Sequence, residues 1–188
     1  MHFNTYGGAA AVLAADLVNL VGSGVFEREE VAAVVRRHAP SLPEPTSSEA
    51  VRIMQWAECL DSVFGEESAQ RQADLINGLL HQAASRPRIS THHGQPPHLH
   101  YHGDGDGVVN RVRAVTATGL AYVLCHDGGH RLGRCADQRC RQVFIDVSKG
   151  GKRRFCSTQC ANRVNAARHR SRAQLREAKP GSMSSPAG

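Results

Sequence analysis

The chain has 188 residues, 40% of them hydrophobic, and a formal net charge of +6. That length accommodates one or two small domains, and that apolar fraction supports a buried core, which excludes a fibrous or wholly disordered chain. The apolar run at 9–20 has no basic residue before it and is interrupted by Asp16, so it reads neither as a signal peptide nor as a membrane span. A soluble, cytoplasmic protein with no membrane partner is expected.

The first two-thirds read as mainly helical. Leu13, Leu17, Leu20 and Val21 are spaced for one helix face, and Gly22 and Gly24 end that helix. A second helix is predicted over 27–38, acidic at its start and with Arg36, Arg37 and His38 at its end, as the helix dipole prefers. Pro40, Pro43 and Pro45 mark a loop. Thr46 and Glu49 have capping-box spacing and open a third helix with the stripe Ala50, Ile53, Met54, Ala57, Leu60 and Phe64. A fourth is expected over 66–84, with Ala69, Ala73, Ile76, Leu80 and Ala83 inward. Pro87, Pro96 and Pro97 rule out a continuous helix next, and 88–91 and 98–102 read as two short strands around a turn. The GDGDG run at 103–107 lacks the acidic spacing and terminal Glu of a calcium loop and reads as a flexible connection. A fifth helix follows, with Val108, Val112, Val115, Leu120 and Val123 on or near one face. Cys59 and Cys125 fall in these helical patterns and read as small core residues.

The other four of the six cysteines lie close together, as C-x4-C, fifteen residues, then C-x3-C. Two closely spaced pairs of soft ligands are what tetrahedral Zn2+ requires, so Cys135, Cys140, Cys156 and Cys160 are the candidate metal ligands. Disulfides do not suit a reducing compartment, and a redox pair favours C-x-x-C, which is absent. Strands at 143–146 and 153–156 are predicted to form a hairpin across 148–151, with Ser157 capping a helix that starts between Cys156 and Cys160. Val143, Phe144, Ile145, Val147 and Phe155 are too few for an independent core. Metal binding supplies the missing stabilisation, about 10–16 kcal/mol apparent for structural zinc in finger peptides. Four thiolates argue for a closed structural site, whereas catalytic zinc keeps an open position.

Charge is unevenly placed. Residues 131–179 hold 14 Lys/Arg against Asp137, Asp146 and Glu177, a net +11, and the remainder carries −5. Contacts with a zinc–tetrathiolate centre of charge −2 absorb two or three of these cations, not all of them. Lys149, Lys152, Arg153 and Arg154 on the hairpin, with Arg163, Arg168, Arg170 and Arg172 on the helix, are the candidate nucleic-acid contacts. Arg176 continues the four-residue repeat of Arg168 and Arg172. Asn162 and Asn165 are candidates for reading base edges. Stacking aromatics are scarce, which favours duplex DNA over RNA loops.

The segments Arg131-Leu-Gly-Arg-Cys135, Val143-Phe-Ile-Asp-Val-Ser148, Arg153-Arg-Phe-Cys-Ser157 and Cys160-Ala-Asn-Arg163 resemble the CGNR zinc-finger family. Ala161 stands where the family name has Gly, and Ala is well accommodated in a helix. Upstream, LAADLVN at 13–19, LINGLL at 75–80 and HLHY at 98–101 look similar to the family's N-terminal ABATE domain. The resemblance implies a bacterial stress-response transcription regulator with the four cysteines on zinc and Arg163 closing the namesake motif.

His92, His93, His98, His100 and His102 crowd one region, and in a strand His98, His100 and His102 project to one side. They are a candidate ligand or metal surface, set against a packed polar strand face. The fold class expected is α+β: a mainly helical ABATE-like domain with a short β-hairpin at 1–127, a small treble-clef-like zinc finger at 130–177, and a disordered tail at 178–188. The function expected is not enzymatic: a DNA-binding transcription regulator associated with the nucleoid, whose N-terminal domain senses a small-molecule effector or forms a homodimer. The rival readings are a metal-dependent enzyme working through the histidines and a zinc-stabilised protein-interaction module.

Overall fold

The computed structural model describes residues 7–24, 27–40, 42–83, 87–90, 98–103 and 105–177. In chain order the elements are α1 (Gly7–Ser23), α2 (Arg28–His38), α3 (Ser47–Asp61), α4 (Ala69–Ala83), β1 (Arg88–Ser90), β2 (His98–His100), α5 (Val108–Asp127), β3 (Leu132–Arg134), β4 (Val143–Ile145) and α6 (Thr158–Glu177). The mainly helical character agrees with the reading of the sequence, as does the first of two small antiparallel hairpins, β1–β2; the second, β3–β4, is paired differently from the one predicted. Among the described residues, no helix is long and apolar enough to cross a membrane. The tail at 178–188, His92 and His93 lie outside the described residues.

Helix α1 is the centre of the packing and touches α2, α3, α5 and β4. Its sequence explains this, because Ala10, Ala11, Ala14 and Ala15 keep the helix thin while Leu13, Leu17 and Val18 fill the core; all seven are buried. The α1–α5 crossing depends on Gly119, where a Cβ would fall 2.6 Å from the Ala11 nitrogen and from the Ala10 Cβ. Helix α3 starts with the capping box read from the sequence. The Thr46 backbone N–H donates to Glu49 Oε2 at 2.9 Å, and the Glu49 N–H donates to Thr46 Oγ1 at 3.4 Å. Trp56, which the predicted stripe omitted, is also buried and donates its Nε1–H to Thr116 Oγ1 on α5 at 2.9 Å.

Two expectations are corrected. The buried face of α4 is Gln72, Ile76, Leu79 and Ala83, so of the predicted stripe Ile76 and Ala83 hold, Ala73 and Leu80 are half-buried, and Ala69 is exposed. Gln72 turns the helix inward on its own side because its amide donates to Val63 O at 3.0 Å and to Gly129 O at 3.3 Å. Cys59 and Cys125 are exposed rather than core residues. Trp56, Ala57 and Leu60 already occupy the inner face of α3, and Thr116, Leu120 and Val123 that of α5.

The β3–β4 hairpin shares the core of the helices. Leu132, Val143 and Ile145 belong to the same buried cluster as Leu13, Leu17 and Val63. The open edge of β4 is closed by one side chain: Asn19 of α1 accepts from Val143 N–H at 2.8 Å and donates to Val143 O at 3.0 Å. Across the hairpin, the Gly65 N–H donates to Leu132 O at 2.8 Å, and Arg134 pairs with Asp61 at 3.0 Å.

Because the Gly119 contacts are partly to backbone, α1 and α5 would have to separate to admit a methyl group. Gly119→Ala is expected to destabilise the protein by about 1–3 kcal/mol, read as a lower denaturant midpoint at unchanged slope. Wild-type stability in that variant would show that the crossing has spare room.

Candidate metal centre and basic surface

The second hairpin differs from the one predicted. Strand β4 pairs with β3, in the register Leu132↔Ile145, Gly133↔Phe144 and Arg134↔Val143, and not with 153–156, which forms no strand. The reason is burial. Val143, Phe144 and Ile145 are all buried, and the stretch from Lys149 to Arg154 is too polar to cover them. Gly133 has no side chain, so the Phe144 ring lies across it, 2.5 Å from where a Cβ would stand. The Arg153 guanidinium covers the ring at 4.4 Å from its centroid, a cation–π contact.

This pairing puts Cys135 and Cys140 in a knuckle at the hairpin tip. The knuckle is closed by Cys140 N–H donating to Asp137 O at 2.8 Å and Cys135 N–H to Gln142 O at 2.9 Å. The returning chain is tied to it where Ala136 N–H donates to Arg154 O at 2.8 Å. Ser157 caps α6 as the sequence predicted, its Oγ accepting from Cys160 N–H at 3.3 Å. Cys156 therefore lies just before the helix and Cys160 in its first turn.

The four Sγ atoms lie within 4.8 Å of one another. Cys140–Cys156 is 3.6 Å and Cys156–Cys160 is 3.7 Å, far beyond a disulfide bond of about 2.0 Å. A tetrahedron of sulfurs each about 2.3 Å from zinc has edges of about 3.8 Å, so the donor set fits zinc in number, element and spacing. Burial, and then hydrogen bonds with Cys140, Cys160 and Cys135, push the Cys156 thiol up to about 12. Burial also raises Cys140. For Cys135, burial opposes ionisation, but N–H groups of Cys156 and Asp137 bring it below the ordinary thiol value. The raised Cys140 and Cys156 thiols give up their protons most readily to a bound cation. Zinc held by Cys135, Cys140, Cys156 and Cys160 would cross-link the knuckle to α6, since all four positions are protein thiols.

Two carboxylates that the sequence reading did not single out support this centre. Asp137 is buried; it accepts from Arg139 N–H at 3.1 Å and from Arg163 Nε at 2.5 Å. These contacts, the backbone one foremost, hold its carboxyl below the usual range. Arg163 also donates to Cys160 Sγ at 3.2 Å, so it braces a ligand. Asp146 is fully buried and accepts from Ser148 N–H at 2.9 Å and Arg153 N–H at 2.8 Å. Burial opposes its ionisation, but Ser148, Arg153 and the charge of Arg131 together lower its pKa. Buried Arg131 donates to Asp146 O at 2.7 Å and to Ser148 O at 2.8 Å. The available signal was isolation, because Asp137 and Asp146 are the only acidic residues between Arg131 and Arg176.

The eight basic candidates divide. Arg163 is engaged as above, and Arg153 donates to Phe155 O at 2.9 Å and to Cys156 O. Lys149, Lys152, Arg154, Arg168, Arg170 and Arg172 are exposed. Among the described residues none of these six pairs with a carboxylate. The side chain of Arg176 lies outside the description. Of the histidine set, the ring centroids of His100 and His102 are 5.3 Å apart, and His102 Nδ1 is 3.2 Å from Gly103 O. The side chain of His98 is not among those described. Among the described residues the four cysteines are the metal-competent cluster.

Metal analysis is expected to give one zinc per chain, retained in Cys59→Ser and Cys125→Ser and lost in Cys156→Ser; retention in the last variant counts against the site. Since the Cys156 thiol keeps its proton at neutral pH without a cation, binding displaces that proton. Zinc affinity should therefore rise with pH, and acid should release the metal. Removing the brace in Asp137→Ala should weaken zinc by about 10–100-fold in chelator competition; unchanged affinity would show that Arg163 does not tune the centre.

A comparison with curated proteins finds no match. The family model for the CGNR zinc finger matches residues 131–173, less than a quarter of the chain and including all four cysteines, so this segment is similar to that finger and Cys135, Cys140, Cys156 and Cys160 form its potential zinc site.

Proposed function

We propose that the protein is a DNA-binding transcription regulator in which a treble-clef-like zinc centre fixes a basic loop and helix against duplex DNA. The observation that carries this reading is α6. From Asn165 to Arg172 every residue of the helix is exposed, and Arg168, Arg170 and Arg172 have no carboxylate partner among the described residues. Like charges four apart repel along a helix, so this surface favours a polyanion, and arginine is the cation suited to bidentate phosphate and guanine contacts. Lys149, Lys152 and Arg154 extend the positive surface along the loop that leads into α6. The acidic body, resembling ABATE in its LAADLVN, LINGLL and HLHY segments, would sense an effector or form a homodimer, and the protein would act in the cytoplasm on the nucleoid without catalysis.

If all six exposed cations engage phosphates, log K should fall with log salt at a slope of about −5, roughly a thousandfold between about 50 and 200 mM. Fluorescence anisotropy with a random-sequence duplex measures this. A salt-insensitive association, or none at low salt, would sink the reading. Capture of a partner protein through the finger without DNA binding would assign the module to protein interaction instead.

A further inference from the structure

The outward face of α6 carries a pattern that charge alone does not explain, and it deepens the DNA reading on which it rests. Gln159, Asn162, Ala166 and His169 recur at steps of three, four and three residues, so they share one helix face. All four are exposed. The opposite face holds the ligand Cys160, buried, and Val164, half-buried, so the strip points directly away from the zinc centre. Arg172 flanks it on one side and Arg170 on the other; Arg168 lies further round, beyond Arg172, and Arg163, on the Arg170 side, is held by Asp137 and Cys160 Sγ.

We infer that Gln159, Asn162 and Ala166 determine sequence specificity by reading base edges in the major groove, while the flanking arginines hold the two phosphate backbones. The dimensions agree. An α-helix with its side chains is about 10–12 Å across, and the major groove is about 12 Å wide. From Gln159 to His169 the helix advances about 15 Å, the length of about four base pairs. The residue types agree as well. A neutral strip with an arginine on either side matches a groove floor of donors and acceptors between two rows of phosphates. Carboxamides pair bidentately with adenine N6 and N7, and an alanine methyl suits the thymine methyl. Burial does not account for the neutrality of the strip, since all four of its residues are exposed.

Selection of bound duplexes from a random pool, using the zinc-loaded full chain, tests the assignment. The wild type is expected to enrich a motif of about four base pairs per finger that contains adenine. Asn162→Ala and Gln159→Ala, with zinc content unchanged, should each lose adenine preference at one position, a drop of about five- to a hundredfold in discrimination. Their binding to random duplex should stay within about twofold. Arg168→Ala should instead weaken every sequence alike and reduce the salt slope by about one. If the wild type binds duplex with a steep salt slope but enriches no sequence, or if both amide variants keep the wild-type motif, this face does not read bases although the DNA reading stands. Absence of any duplex binding overturns both.

Discussion

Four sulfurs brought within 4.8 Å of one another are the constraint on which the C-terminal end of this protein depends. Thiols pack as small hydrophobes, but burial, and then hydrogen bonds among the neighbouring thiols, oppose ionisation, and the rise of Cys156 to about 12 expresses that cost. A cation reverses it and converts the four groups into the strongest cross-link in the segment. The need for one is visible in α6, whose described residues beyond Val164 are all exposed. An isolated arginine-rich helix of this length is marginal in water. Its direction relative to the body is fixed at its first turn, by Cys160 and by the Arg163–Asp137 ion pair.

The centre would orient nothing if the knuckle were itself loose. A two-stranded hairpin is marginally stable alone, and β3–β4 escapes this by joining the helical core. Leu132, Val143 and Ile145 are buried among α1 and α3 residues, and Asn19 gives the free edge of β4 the donor and acceptor that a third strand would have provided. Arg134 and Gly65 tie the opposite side to the end of α3. A displacement of α1 therefore reaches the knuckle through two hydrogen bonds to Val143, and from the knuckle the sulfurs carry it to α6. The helical body and the basic surface are joined through short, directional contacts.

How far the sequence could be read follows the range of the interactions. The Thr46–Glu49 capping box, the α3 stripe, the Ser157 cap and each pair of the ligand set, Cys135 with Cys140 and Cys156 with Cys160, depend on residues within a few positions of one another, and each was legible. The pairing of β4 with β3 was not. Leu132-Gly-Arg looks like a poor strand until Phe144 is placed across Gly133, and a pattern rule cannot see a cross-strand ring filling the space of a missing side chain. Gln72 was missed for a similar reason, since its partners Val63 O and Gly129 O are 9 and 57 residues away in sequence. Among the basic residues the sequence supplied charge but not direction. Arg163 and Arg168 are equivalent on paper, yet one braces a ligand sulfur and the other faces solvent.

That last distinction bears on how the charge should be interpreted. A tetrathiolate zinc centre has charge −2 and attracts cations for its own sake, so counting arginines near it says little about a partner. The geometry separates the two roles. Arg163 lies against Cys160 and Asp137, Arg153 lies on Phe144 and the Cys156 carbonyl, Arg131 supports the 146–148 turn, and Arg134 binds Asp61. These four account for what the centre and its hairpin require electrostatically. The six candidates Lys149, Lys152, Arg154, Arg168, Arg170 and Arg172 are exposed, without a carboxylate partner among the described residues, and follow one another along a single loop and helix. A surface that needed only solubility would intersperse the two signs. Here Asp137 and Asp146, the only carboxylates between Arg131 and Arg176, are both turned inward, so the outward face keeps one sign. Holding Arg168 and Arg172 four residues apart costs about 0.2–0.5 kcal/mol in a free helix, a cost that contact of each with a phosphate, releasing its counterion, would offset.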